Sequence, residues 1–425
     1  MSAEPKRTRL RGALASKFAA LVFGALLLAV GLAAHTARLN DGLQSAERNA
    51  FDADAFVGSG QCRRCHEDHW QSWHTTFHRT MTQDVHDEGT VVFGHFDGSA
   101  IDYFGWRATM REEDGQPRID IRAPDGTTTR HAVERAVGSR RMQQYLTRSA
   151  ERPEEYERLP IAWHVEESRW MHMNGAFLTP DPVEDVAAAE DFHRHVTRWN
   201  DNCVFCHNVA PNPGRRPDGR FETEVAELGV ACEACHGAGA VHAERNSDPV
   251  RRYLLHLSGT DVHDPTIANP AAMPEERQAD VCGRCHGQRL TDDIDRTLAL
   301  GDSFVPGEDL AVHSEPLWRD TTLNGVDGVF AARFWEDGTP RLTAYEYQGL
   351  TQSVCAQRAP LSCTNCHGMH EGDPRGQLRP AAAETPDSMC SDCHGSESLS
   401  AGHVAHEAHA RVDCIDCHMP RIVYG

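Results

Sequence analysis

Residues 199–236 read WNDNCVFCHNVAPNPGRRPDGRFETEVAELGVACEACH and contain the pattern C-x-x-C-H twice. The same pattern recurs along the 425-residue chain at Cys62-Cys65-His66, Cys203-Cys206-His207, Cys232-Cys235-His236, Cys282-Cys285-His286, Cys363-Cys366-His367, Cys390-Cys393-His394 and Cys414-Cys417-His418. Composition alone would produce about 0.03 copies, against seven observed. Fourteen of the 15 cysteines are thereby accounted for, and Cys355 is left over.

That spacing points to one chemistry. Two thiols three positions apart can add to the two vinyl groups of one haem, while the adjacent imidazole reaches its iron. A zinc ribbon would not require His after every second Cys. A thioredoxin-like site would appear once, beside a βαβ pattern. Seven covalently bound haem c groups are therefore expected, held by those fourteen thiols with the seven motif histidines as proximal ligands. Cys355, in QSVCAQRAPLSC, reads as a small buried thiol near the fifth motif.

Outward from the motifs, the amino terminus indicates the compartment. Residues 1–17 carry Lys6, Arg7, Arg9, Arg11 and Lys17, and an unbroken apolar run follows from Phe18 to Ala34. As a helix, that run would span about 25 Å, which suits a signal peptide or a membrane anchor. The basic flank keeps the start in the cytoplasm and exports the rest. A periplasmic protein is expected, held at the inner membrane if the segment is uncleaved. Attachment of haem outside the cytoplasm agrees with this.

The net charge of −21 disfavours nucleic acid as a partner. With 34 Gly, 22 Pro and 40% apolar residues, the chain reads as loop-rich, mainly α around covalently bound haems, with small antiparallel β insertions. The organisation expected is a signal or anchor at 1–37, a linker at 38–55 and a first-motif region with a β-rich insertion at 56–200. Motifs two to four follow at 201–300, a β/loop insertion at 301–355, and motifs five to seven at 356–425. D-G, E-D-G and P-D-G turns within 90–136 predict a small antiparallel unit. Residues 182–198 read as a helix, and FAARFWEDGTPRLTAYEYQ (330–348) as strand-turn-strand.

Nineteen histidines lie outside the motifs. His242 and His370 sit just beyond motifs on short Gly-containing turns. His403, His406 and His409 recur at helical spacing before the last motif. His69, His74 and His78 follow the first. His35 and His86 read as solvent-facing.

At these residues the chain resembles the seven-haem c-type cytochromes, many of which carry TPR or HEAT repeats after the haem region, and more widely the cytochrome c554-like multihaem proteins. VGSGQCRRCHEDHWQSWHTTFHRTM, VGSRRMQQYL, LPIAWHVEESRWMHM, LSCTNCHGMH and HVAHEAHARVDCIDCHMPRIVYG carry the likeness, besides the stretch quoted first. The resemblance implies distal ligands at His78, His172, His195 (or His193), His242, His370, His403 and His406, with His313 in reserve. His95, His131 and His164 fall outside that set. No repeat domain follows residue 425, so docking performed by such a domain would be missing or supplied by another chain.

Electron transfer between redox partners is the leading expectation, since irons with two imidazoles have no open position. The alternatives are a multihaem oxidoreductase acting on a small nitrogen or sulfur compound at one open haem, and a subunit of a haem filament or surface conduit. The acidic surface favours basic or weakly charged partners.

Overall fold

The computed structural model describes residues 53–176, 189–257, 264–342 and 344–370, with positions 17, 20–26, 28, 31, 390, 393, 394 and 418. The chain divides into two units, Met1–Arg48 and Asn49–Gly425. The described positions of the first unit are helical, and Leu21, Phe23 and Leu28 are exposed. Among the described residues no helix is long and apolar enough to cross a membrane. Much of the apolar run expected to be a signal or anchor lies outside those residues.

In the second unit, nine strands follow the first motif and form two antiparallel sheets. The smaller is a meander of β2 (Asp97–Tyr103), β3 (Trp106–Glu113), β4 (Gln116–Arg122) and β5 (Thr128–Ala132). Its local cause is plain in the sequence. Trp106, Ala108, Met110, Ile119 and Ile121 alternate with polar residues and bury one face. Two-residue turns at Phe104-Gly105 (φ 44° and 91°) and Asp114-Gly115 (φ 53° and 77°) join the strands. Positive φ at both central positions matches the right-handed twist of the strands on either side. The antiparallel unit expected at 90–136 is present here.

The larger sheet has the order β1-β6-β7-β8-β9, with β1 at Thr82–Asp84, β6 at Arg135–Val137, β7 at Met142–Arg148, β8 at Tyr156–His164 and β9 at Arg169–His172. Leu159, Ile161 and Trp163 of β8 join Tyr145, Trp170 and the buried face of the small sheet in one core. Ala162 packs on the opposite side with Met171 and Met173. Buried Gln143 ties in the segment before β2, accepting from Phe93 N–H (2.8 Å) and donating to Val91 C=O (2.8 Å).

Three expectations change. The described chain is mixed rather than mainly α, because a five-stranded sheet extends the β structure beyond the small unit expected at 90–136. Residues 330–348 form no hairpin: a bridge joins Phe334 to Pro340, and Tyr345 then caps a helix, Glu346–Gln352. Of the helix expected at 182–198, the described part is one turn, Ala189–Phe192.

Ile161 is fully buried and Thr128 is exposed. Ile161→Ala is expected to lower stability by about 2–5 kcal/mol, and Thr128→Ala by about 0.5 kcal/mol or less. Denaturant unfolding followed by far-UV circular dichroism checks both values.

Candidate haem sites

Each described motif sits on or beside a short helical turn that brings its three side chains to one side. α1 (Glu67–His74) follows the first motif, α2 (Val204–His207) and α3 (Cys232–His236) carry the second and third, and α4 (Ala240–Asn246) bears His242. After α5 (Pro249–Leu257), α6 (Glu275–His286) carries the fourth motif, and a 3₁₀ turn, Cys363–Asn365, the fifth.

A buried carboxylate joins three of these segments. Glu233, between the two cysteines of the third motif, is 3% exposed. It accepts from the backbone N–H groups of Val57 (3.0 Å), Gly58 (2.8 Å) and Gly239 (2.8 Å). The entry to the first motif and the start of α4 are thereby held against α3. The fifth motif is tied to α6 by Ser362, whose hydroxyl donates to Gln278 (3.0 Å). Within the fourth motif, Arg284 pairs with Asp302 at 2.8 Å.

The described cysteines are free thiols. Thiols of different motifs lie side by side: Cys62 with Cys232, Cys206 with Cys285, and Cys282 with Cys363. Burial pushes the Cys235 thiol up to about 11. The motifs therefore cluster in an order unlike their order along the chain. Cys355 is exposed, contrary to the buried thiol expected.

The histidines separate by which ring nitrogen the fold already uses. Nδ1 of His236 bonds Ala268 C=O at 2.8 Å, and Nδ1 of His207 bonds Met81 C=O at 3.3 Å. Nδ1 of His242 bonds Asp264 at 3.1 Å, and Nδ1 of His286 stands 3.5 Å from Glu346. Each leaves Nε2 for a metal, the arrangement typical of metal-binding imidazoles. Burial, the largest influence, lowers His78 and His370 to about 4, so both are neutral and ligand-competent at pH 7.

Spacing completes the test. Two imidazole nitrogens each about 2 Å from a shared metal put their ring centroids about 6 Å apart. His66 and His242 stand at 6.3 Å, His286 and His78 at 6.1 Å, and His236 and His370 at 6.0 Å. In each pair a motif histidine meets one from another segment. His69 lies 6.1 Å from His66 but only 4.6 Å from His370, too close for an iron between the latter two. Free thiols, anchored Nδ1 atoms and this spacing suit haem c. Among the described residues, no group of three or more His, Cys, Asp and Glu is placed to hold a bare metal ion.

Other expected ligands are differently placed. His172 is 7% exposed, stacks on Tyr103 at 3.9 Å, and has both nitrogens engaged within the fold. Its Nε2 donates to Phe192 C=O at 3.0 Å, and its Nδ1 accepts from Asn174 N–H at 3.2 Å. No nitrogen is left for iron. His313 is similarly committed, to Ser303 (2.8 Å) and Glu308 (3.0 Å). His193 bonds Ala189 C=O at 2.8 Å through Nδ1 and is exposed, and His195 is half-buried. His367 is half-buried, whereas His394 and His418 are exposed. His403, His406, Cys414 and Cys417 lie outside the described residues.

Residues 167–237 match the family model described as cytochrome c554 and c-prime, and residues 356–399 match the doubled CXXCH motif. Over those residues the chain is similar to multihaem c-type cytochromes. The crystal structure of the outer cell wall cytochrome OcwA shares its fold, at a TM-score of 0.55 and 17% identity over 87% of this chain and 78% of that one. No curated protein matches the chain. It binds haem c covalently through its C-x-x-C-H motifs.

Glu233→Ala strands three backbone donors around a buried site, so a loss of about 3 kcal/mol or more is expected. Glu233→Gln, which keeps one acceptor oxygen, should fall between that variant and the unaltered protein. Urea unfolding followed in the Soret band measures both; an unchanged midpoint for Glu233→Ala would remove its structural role.

Proposed function

We propose that this cytochrome carries electrons between redox proteins outside the cytoplasm through seven haems. They are attached at Cys62/Cys65, Cys203/Cys206, Cys232/Cys235, Cys282/Cys285, Cys363/Cys366, Cys390/Cys393 and Cys414/Cys417. The proximal ligands are His66, His207, His236, His286, His367, His394 and His418. Three irons take His242, His78 and His370 as distal ligands, opposite His66, His286 and His236 respectively. His195, His403 and His406 remain distal ligands in this reading, and His172 leaves the set because its two nitrogens are engaged; the seventh iron then takes its distal imidazole from a histidine outside these six.

The observation that carries the proposal is the set of three remote imidazole pairs at 6.0–6.3 Å. An iron with two protein ligands has no position for substrate, so it is suited to exchanging single electrons. Clustering of the first five motifs supports passage between neighbours. The net charge of −21, made more negative by haem propionates, favours basic partners at low salt. Fold similarity to an outer cell wall cytochrome supports export, as does the basic flank of the amino terminus.

The test is a haem count and a spin-state count on the purified holoprotein. Intact mass and pyridine haemochromogen absorbance should give seven haems, and low-temperature EPR should show low-spin ferric iron. A stoichiometric high-spin signal would contradict a wholly bis-imidazole chain and move the reading to an oxidoreductase with one open haem. Two variants sharpen the ligand assignment. His78→Ala should convert one haem to high spin, and His172→Ala should convert none; the reverse pattern would overturn the assignment.

A further inference from the structure

Among the anchored imidazoles, His242 has a distinctive partner. His236 and His207 give their Nδ1 protons to neutral backbone carbonyls. The Glu346 carboxylate near His286 is 55% exposed. His242 instead meets Asp264, whose side chain is 10% exposed. Resting on the reading that His242 is an iron ligand, we propose that Asp264 is a positioning residue that lowers the reduction potential of the iron held between His66 and His242.

The surrounding contacts fix both protons and charge. Asn246 Nδ2 lies 2.8 Å from Asp264 Oδ2 and 2.9 Å from the His242 carbonyl, both acceptors, so that atom is a donor. It also lies 3.1 Å from His242 Nδ1. Those two acceptors take both hydrogens of Asn246 Nδ2 and a carboxylate has none to give, so Nδ1 carries the hydrogen and donates it to Asp264. Nε2 is then the bare nitrogen, free to bind iron. The second carboxylate oxygen is held by the backbone N–H (2.9 Å) and hydroxyl (2.5 Å) of Thr266. Arg251, whose side chain is 4% exposed, stands 3.7 Å from Oδ2 and offsets part of the charge.

A carboxylate that accepts from Nδ1–H makes the ring a stronger donor through Nε2, which favours ferric over ferrous iron. No bond is made or broken in the step that is tuned. One electron enters or leaves the iron, and the Nδ1 proton stays between His242 and Asp264.

The experiment compares holoprotein redox titrations and EPR spectra for the unaltered chain and the variants Asp264→Asn, Asp264→Glu and His242→Ala. Asp264→Asn should leave all haems low-spin, shift the ferric/ferrous ratio of one haem about tenfold toward ferrous at fixed potential (about 59 mV for one electron), and move that haem's g values. Asp264→Glu, which keeps the charge, should titrate like the unaltered protein. A Glu variant that shifts as far as the Asn variant overturns the proposal, because shape alone would then be responsible. So does an Asn variant with unchanged potential and g values while His242→Ala turns one haem high-spin. If His242→Ala leaves every haem low-spin, the ligand reading itself fails, and this proposal with it.

Discussion

An imidazole binds a metal most readily when the fold leaves one nitrogen bare and gives the other a partner for its proton. Much of this structure's functional organisation follows from how that condition is met. The chain supplies 26 histidines, more than seven haems could use. Backbone carbonyls at Ala268 and Met81 and the carboxylate of Asp264 present Nε2 of His236, His207 and His242. The same accounting removes His172, which spends one nitrogen on Phe192 and the other on Asn174. Position along the chain does not separate these cases. Local hydrogen bonding does.

The pairing of rings is set by topology, and this explains where the sequence was legible. The motifs are local, five-residue patterns, so they read directly, and covalent haem attachment followed. The ring that each of these motif histidines faces is not local. His78 lies shortly after the first motif, yet its ring faces His286 of the fourth, because Val230 N–H before the third motif fixes the His78 carbonyl at 2.9 Å. His370, after the fifth motif, faces His236 of the third. Resemblance to related cytochromes nominated both residues without saying which iron each would meet.

The sheets divide the same way. Strands β3 and β4 alternate buried and polar residues and the Asp114-Gly115 and Asp125-Gly126 turns carried signals, so the small unit was legible, although the Phe104-Gly105 turn carried none. Strand β8 packs Ile161 on one side and Ala162 on the other, which erases alternation, so the larger sheet carried no strand signal of its own. In 330–348 the Asp-Gly turn signal was real, but a single bridge at Phe334 and Pro340 closes it before Tyr345 begins a helix cap. The largest apolar core belongs to this sandwich, while Val241, Val250, Tyr253, Ile294, Leu300 and Val354 remain exposed in the motif-bearing part. Apolar surface of that kind suits a region completed by porphyrin faces.

The most direct measurement is an anomalous difference map at the iron absorption edge from crystals of the holoprotein. Iron is expected about 2 Å from Nε2 of both members of the pairs His66–His242, His286–His78 and His236–His370. Irons bound to the motif histidines but facing water or other side chains at those three sites would contradict it.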